Sequence, residues 1–188
     1  MRFEKGYPKV NGASDYEDSS HLAGILAIFE HPQALNLTKY FDGKKYMRCP
    51  DSKYDFSRDQ AILLMAGLLK QGSWSYVDLK FINGKDILPP SVRGLAEIAK
   101  TGKPYWFQKL WLKAEIYWHS YIQPLDEPFQ IIALCMTYGD EYLKLWTEKN
   151  TLWAWSIRRY LSQLDGAWRN EPELAEFVID KIKEKIST

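Results

Sequence analysis

The stretch that decides the fold covers residues 48–69 and reads RCPDSKYDFSRDQAILLMAGLL. A polar segment runs directly into a strongly apolar one. Ser57 and Gln60 have the spacing of a capping box, in which two side chains satisfy backbone N–H groups left unpaired at the start of a helix. The pattern predicts a helix from Arg58 to about Gln71, with Gly72 as the residue that ends it.

Helical periodicity dominates the rest of the chain as well. Leu22, Ile25, Leu26 and Phe29 follow the i, i+3, i+4, i+7 pattern, which predicts a first helix over about 20–30. Prolines and Asn or Asp residues at cap positions predict further helices. Their expected ranges are about 92–99, 104–121, 128–138, 140–149, 151–164 and 171–186. Residues 37–47 and 73–88 favour short hairpins or loops instead.

Helices of this length with short connections are typical of antiparallel helix pairs. We therefore predict an all-α fold of seven or eight helices in antiparallel pairs, arranged as a partial toroid or an irregular bundle. One or two small β or loop excursions interrupt it. Because no linker or low-complexity segment divides the chain, we predict a single domain over 1–188.

Composition limits the classes of function. The chain has 188 residues, of which 46% are hydrophobic, and carries 25 basic and 24 acidic residues for a net charge of +1. This balance argues against a nucleic-acid-binding protein and against attraction to anionic membranes. With only Cys49 and Cys135, a disulfide framework is not expected. The first twenty residues contain no apolar signal segment, and the apolar runs are too short to span a bilayer, so we predict a cytoplasmic protein. A component of a larger particle also fits.

A cluster of polar residues precedes each of the first two predicted helices. The cluster from Asp15 to His21 leads into the first helix, and the segment from Arg48 to Gln60 leads into the second. If the two N-termini lie side by side, the clusters meet. We then expect Asp18 and Asp59 to be catalytic, since acid–base hydrolysis uses two nearby carboxylates of different pKa.

A helix N-terminus favours a charged carboxylate, which suits Asp59 as a base, nucleophile or ligand anchor. The expected ligand-binding residues of the same site are Ser19, Arg48, Asp51 and Arg58, with Arg58 able to pair with a carboxylate or phosphate. The alternative is that all these residues are helix caps and surface ion pairs, which are worth about 1 kcal/mol each and need no further role.

Aromatic residues make up 15% of the chain, and seven of the eight tryptophans lie in its second half. Helical spacing favours the core for most of these rings; Trp111 and Trp118, for example, share one helix face. Trp153 and Trp155 diverge by about 200° around a helix, so one is expected in the core and the other at a pocket or interface. Both are candidate ligand-binding residues.

The three histidines have no metal-ligand spacing with each other, with cysteine or with acids, so neither a metal nor a cofactor is expected. A nucleophilic pair of Cys49 with His21 is an alternative that requires a contact through the fold.

The Asp-Ser-Ser segment at 18–20, with Arg-Cys-Pro-Asp at 48–51 and Asp-Phe-Ser-Arg-Asp-Gln at 55–60, resembles a group of uncharacterised bacterial and phage proteins. It is also similar to (α/α)-toroid carbohydrate-processing enzymes, which carry acids where their inner helices begin. The resemblance covers about residues 15–72 and implies a partial toroid, because a full toroid of six hairpins is longer than this chain.

Two hypotheses of function follow. The first is a ligand-binding or hydrolase-like domain for a small polar, sugar-like or acidic ligand, with aromatic rings as walls. The second is a non-enzymatic interaction protein, such as a phage accessory or host-factor-binding protein, whose aromatic surface binds a protein partner. A concave pocket beside the acids favours the first, and an aromatic surface patch favours the second.

Overall fold

The computed structural model describes residues 2–9, 19–49, 58–82, 88–121, 128–163 and 172–188. Within these ranges the chain forms eight α-helices, one two-stranded sheet and three short 3-10 helices. The helices are α1 (Ser19–Ile28), α2 (Arg58–Lys70), α3 (Pro90–Thr101), α4 (Trp106–Tyr121), α5 (Pro128–Tyr138), α6 (Asp140–Lys149), α7 (Trp153–Gln163) and α8 (Pro172–Ser187). The predicted all-α class with small β excursions is confirmed. Gly72 has a φ of 70°, as the predicted helix end requires.

The small excursions match the prediction in part. Strands β1 (Arg2–Glu4) and β2 (Tyr7–Lys9) form an antiparallel hairpin that the sequence analysis did not predict. Around Asp42, where a short hairpin or an irregular excursion was expected, the chain forms one bridge between Phe41 and Tyr46. The described part of 73–88 contains two 3-10 helices, Trp74–Tyr76 and Leu79–Phe81, in place of the strand pair that was one of its two expected forms.

Three helices are central because their sequences are apolar on every side. All ten residues of α1 are buried, α2 is buried from Gln60 to Leu69, and α5 is buried over most of its length. The other five helices surround them. All eight contribute side chains to one hydrophobic cluster, for example Leu95 of α3 and Ile182 of α8.

Helices α1 and α2 run in the same direction. Gly24 lies against Leu63, Gly67 lies against Ala27, and Glu30, just beyond α1, pairs with Lys70 at 3.3 Å. The two members of each contact stay about 40 positions apart along the chain, which only parallel helices in register allow. This pair is therefore an exception to the predicted antiparallel arrangement, because the long connection between the helices brings the chain back to its starting end.

Helices α3 and α4 do form an antiparallel pair. Gly94 lies close to Gln108, while Glu97, further along α3, hydrogen-bonds Tyr105 just before α4. Among the described helices, none is both long enough and apolar enough to cross a membrane.

Candidate functional site

The first predicted site depends on where α1 and α2 begin. Because the two helices are parallel and in register, their first residues, Ser19 and Arg58, lie at the same end of the bundle. The two helices therefore begin side by side, which the predicted site requires. Asp18 and Asp51 lie outside the described residues, as do the side chains of Arg58 and Asp59. Their roles stay predictions.

Of the six residues predicted at the helix openings, Ser19 and Arg48 can be placed in full. The Ser19 hydroxyl lies 2.6 Å from the hydroxyl of Tyr40, and the backbone N–H of Ser20 donates to the Arg48 carbonyl at 3.3 Å. Both residues therefore lie at the start of α1. Tyr40 is completely buried, and this burial raises its pKa above the ordinary range. In this arrangement Ser19 anchors a core tyrosine.

An aromatic contact that no sequence pattern predicted lies at the same end. The His21 ring stacks on Tyr160 of α7 with centroids 6.0 Å apart, and Nε2 of His21 lies 3.3 Å from the Tyr160 hydroxyl. Phe129, at the start of α5, contacts the same tyrosine at 5.4 Å. No local pattern signals these contacts, since the residues are far apart in the chain.

Trp153 and Trp155 diverge as their spacing predicts. Trp153 is half-buried against Trp146, with ring centroids 6.4 Å apart, whereas Trp155 is 47% exposed and lies under the Arg159 guanidinium at 5.2 Å. Trp153 lies seven residues before Tyr160, about 10 Å along the axis of α7. It is therefore Tyr160, rather than either tryptophan, that reaches the opening of α1.

The most conspicuous surface feature is the outer side of α4, which contradicts the expectation that its rings belong to the core. Trp106 is 76% exposed, Trp111 48% and Trp118 52%. We call the exposed apolar side chains of this helix the aromatic face: Trp106, Phe107, Leu110, Trp111, Tyr117 and Trp118. Trp111 and Trp118 do share a helix face, as predicted, but it is the solvent face.

The reason lies in which side of α4 the core uses. Gln108, Leu112 and Ile116, four residues apart, form a narrow buried seam. On the opposite side, Phe107, Trp111, Ala114 and Trp118 are exposed and follow one another at intervals of four, three and four residues. This helix is apolar on both sides, yet the described residues bury only one of them.

Positive charges border one edge of the aromatic face. Lys109 and Lys113 lie along this edge, and Lys149 of α6 lies over the Tyr117 ring at 5.5 Å. Lys109, Lys113 and Lys149 form no ion pair with any residue in the described ranges. The edge therefore carries cations that the described residues leave without counter-charges.

The one acid of α4 lies towards the core. Glu115 is half-buried near Cys135 and Tyr138; burial first, and Glu115 second, raise the pKa of both residues. Lysines thus border one edge of the aromatic face, and the carboxylate of Glu115 is half-buried beyond the other edge.

Comparison of the chain with family models, with curated proteins and with solved structures finds no match. The described residues contain no group of three His, Cys, Asp or Glu that could hold a metal ion.

Proposed function

We propose that this chain is a protein-interaction module whose aromatic face binds an amphipathic helix of a partner protein. The observation that carries the proposal is the exposure of Trp106, Leu110, Trp111 and Trp118 along one helix. Monomeric proteins rarely leave so continuous an apolar patch in water, and tryptophan and tyrosine are enriched where proteins bind each other.

A helical partner is supported by the spacing on α4. Intervals of four, three and four residues are those by which one helix packs its side chains between those of another. Ala114, the smallest residue of the exposed row, lies between Trp111 and Trp118. A partner side chain inserted above Ala114 would be flanked by both rings, as an anchor residue in a hydrophobic groove is.

The charges support an acidic edge on that partner. Lys109, Lys113 and Lys149 border one long edge, while Glu115 lies towards the other. A partner helix with Asp or Glu along one side of its apolar stripe complements this arrangement and fixes its orientation. Membrane-surface helices instead carry their cations across a broad polar face, so the one-sided row favours a protein.

A designed peptide tests the proposal directly. The probe is an 18-residue helical peptide with leucines at heptad positions and glutamates along one edge; the matched control peptide has lysines in place of the glutamates. Fluorescence anisotropy at physiological salt should detect binding of the acidic peptide at least tenfold tighter than that of the basic one. The double variant Leu110→Ser, Trp118→Ser should abolish binding and keep its circular dichroism spectrum.

Trp74→Ser is the matched control variant, because Trp74 is also an exposed tryptophan but lies outside the aromatic face. It should bind the acidic peptide as the wild type does. Equal binding of both peptides would remove the acidic edge from the proposal. Concentration-dependent dimers lost in the double variant would identify a second copy as the occupant, and sedimentation with anionic vesicles would identify a membrane surface; either result replaces the proposed partner.

A second candidate function is the polar-ligand site at the starts of α1 and α2. One observation favours it: the helices that follow Asp18 and contain Asp59 begin at the same end. In this proposal Asp18 and Asp59 act on the ligand, and Asp51, Arg58, Arg48 and Ser19 hold it. Asp59→Asn should then retain the melting temperature but lose binding in a screen of neutral oligosaccharides and small phosphates. Unchanged binding by this variant would remove Asp59 from any site.

A further inference from the structure

A cavity lies at the end of the bundle opposite to the starts of α1 and α2. Its volume is about 190 Å³, and its lining includes Ile28, the last residue of α1, and Leu69 near the end of α2. Met136 and Thr137, in the last turn of α5, complete the same wall. The three central helices therefore end around one space, and neither function proposed above uses it.

The walls of the cavity are apolar. Ile28, Ala66, Leu69 and Ile98 are all buried, and Met136 is half-buried beside them. Apolar cavities of about 150 Å³ stay dry and bind benzene, so a space of this size accepts a one- or two-ring hydrocarbon group. The side chain of Trp74, which is 46% exposed, stands on the lining and provides an aromatic surface at the opening.

Among the described residues of the lining, the charged groups are both ammonium groups. Lys70 Nζ lies 3.3 Å from Glu30, and Lys185 Nζ lies 3.5 Å from Asp140. Both carboxylates are more than half exposed, so each contact is a surface ion pair that exchanges partners at little cost. Each ammonium also has three N–H groups, more than one carboxylate oxygen uses. A negatively charged ligand end thus finds donors from two sides.

The C-termini of the helices around the cavity disfavour an anionic ligand group, because helix C-termini carry partial negative charge. That effect falls off within the last turn, and Lys70 occupies the last turn of α2, where a cation offsets it. The two lysines therefore determine which charge the mouth of the cavity accepts.

We propose that this cavity binds a small aromatic carboxylate, with its ring between Ile28, Ala66 and Met136 and its carboxylate at Lys70 and Lys185. The shape and the apolar walls select the ring, and the two ammonium groups select the anion. The chain thereby gains a small-molecule site separate from the aromatic face.

Three probes with the same ring system and different charges test the proposal: indole-3-acetate, neutral 3-methylindole and cationic tryptamine. The chain has four methionines, so ¹³C-methyl-methionine NMR gives a small set of signals. Ring-current shifts from the bound ligand should move the Met136 methyl signal, which a Met136→Leu variant identifies. The methyl signal of Met65, which is fully buried in α2, should stay in place. Indole-3-acetate should bind at least tenfold more tightly than tryptamine. An unmoved Met136 signal, or tighter binding of tryptamine, would overturn the proposal.

Two kinds of variant separate the ring from the charge. Lys185→Met should weaken indole-3-acetate about tenfold and leave 3-methylindole unchanged, while Lys183→Met, on the same helix but paired with Asp180, should change neither. Ala66→Leu should fill the cavity and abolish binding of both; if it fails to fold, Thr137→Leu fills the same space from a half-buried position. Unchanged binding after filling would overturn the site.

The aromatic face provides the last control. The Leu110→Ser, Trp118→Ser variant should bind indole-3-acetate as the wild type does. If this variant lost binding, the ligand would bind at the aromatic face, and the proposal for the cavity would be wrong.

Discussion

Gly24 of α1 lies directly against the backbone of Leu63 in α2. A Cβ atom at Gly24 would stand 2.7 Å from both the carbonyl carbon and the carbonyl oxygen of Leu63. The two central helices can approach this closely only because position 24 has no side chain.

The first prediction is that Gly24→Ala destabilises the protein, although alanine has a higher helix propensity than glycine. Backbone atoms at the contact cannot rotate away, so α1 and α2 must move apart, at a cost of about 1–3 kcal/mol for an overpacked core. Urea unfolding measures the loss. Gly67→Ala is the matched comparison at the same helix contact: its nearest neighbour is the end of the Leu37 side chain, which can rotate, and the Ala27 Cβ follows at 3.1 Å, so a smaller loss is expected. An equal loss in both variants would contradict the backbone explanation.

The second prediction concerns Gly94 and Tyr138. The Tyr138 hydroxyl donates to the Ser91 carbonyl, and a Cβ at Gly94 would overlap that hydroxyl. Tyr138→Phe alone should cost about 1 kcal/mol for the lost hydrogen bond. Gly94→Ala should cost more in the wild type than in the Tyr138→Phe background, with a coupling energy of about 1 kcal/mol or more in a double-mutant cycle. Strictly additive losses would show that the two positions do not meet.

The third prediction is that stability falls as pH rises above about 10, the ordinary pKa of tyrosine. Burial raises the pKa of Tyr40, Tyr46 and Tyr138 above that value. The unfolded chain therefore loses these protons first and binds fewer than the folded chain, so the free energy of unfolding decreases with pH, by up to about 1.4 kcal/mol per pH unit for each tyrosine.

Urea unfolding at several pH values between 9 and 11 measures this slope. Tyr40→Phe should make the free energy of unfolding depend less steeply on pH, by the contribution of one proton, since phenylalanine cannot ionise. Phe129→Leu is the control, because it changes a buried ring that cannot ionise and should leave the slope unchanged. A Tyr40→Phe slope identical to that of the wild type would show that Tyr40 is not protected from ionisation.

The fourth prediction separates the two tryptophans of α7. Trp153→Ala removes a half-buried ring that packs on Trp146, so a loss of up to about 3 kcal/mol is expected. Trp155→Ala removes an exposed ring under Arg159 and should cost less than about 1 kcal/mol. Chemical denaturation compares them. Large and similar losses would mean that α7 is buried on both sides.

Much of the fold was predictable because its signals are local. The apolar run from Ala61 to Leu69, the proline at position 128 and the glycine at position 72 act within a few residues of their own helix. Signals of this kind predicted seven or eight helices and most of their bounds. The N-terminal hairpin was missed because its strands are only three residues long, which is too short for an alternating pattern to appear.

The same local signals do not predict how helices that are distant in the chain pack against each other. Periodicity states which residues of α4 share a side, but not which side meets the core, so Trp111 and Trp118 were expected to be buried. The parallel direction of α1 and α2 depends on the path of the connection between them and on the contact of Gly24 with Leu63.

The sequence by itself determined the all-α class, the helix ends and the grouping of residues on helix faces, because hydrogen bonding and capping act between neighbours in the chain. Only the tertiary structure decided that α4 turns its rings to solvent and that the ends of α1, α2 and α5 enclose a cavity with Lys70 and Lys185. Those outcomes depend on which surfaces of distant segments bury the most apolar area against each other, a property of the whole chain rather than of any stretch of it.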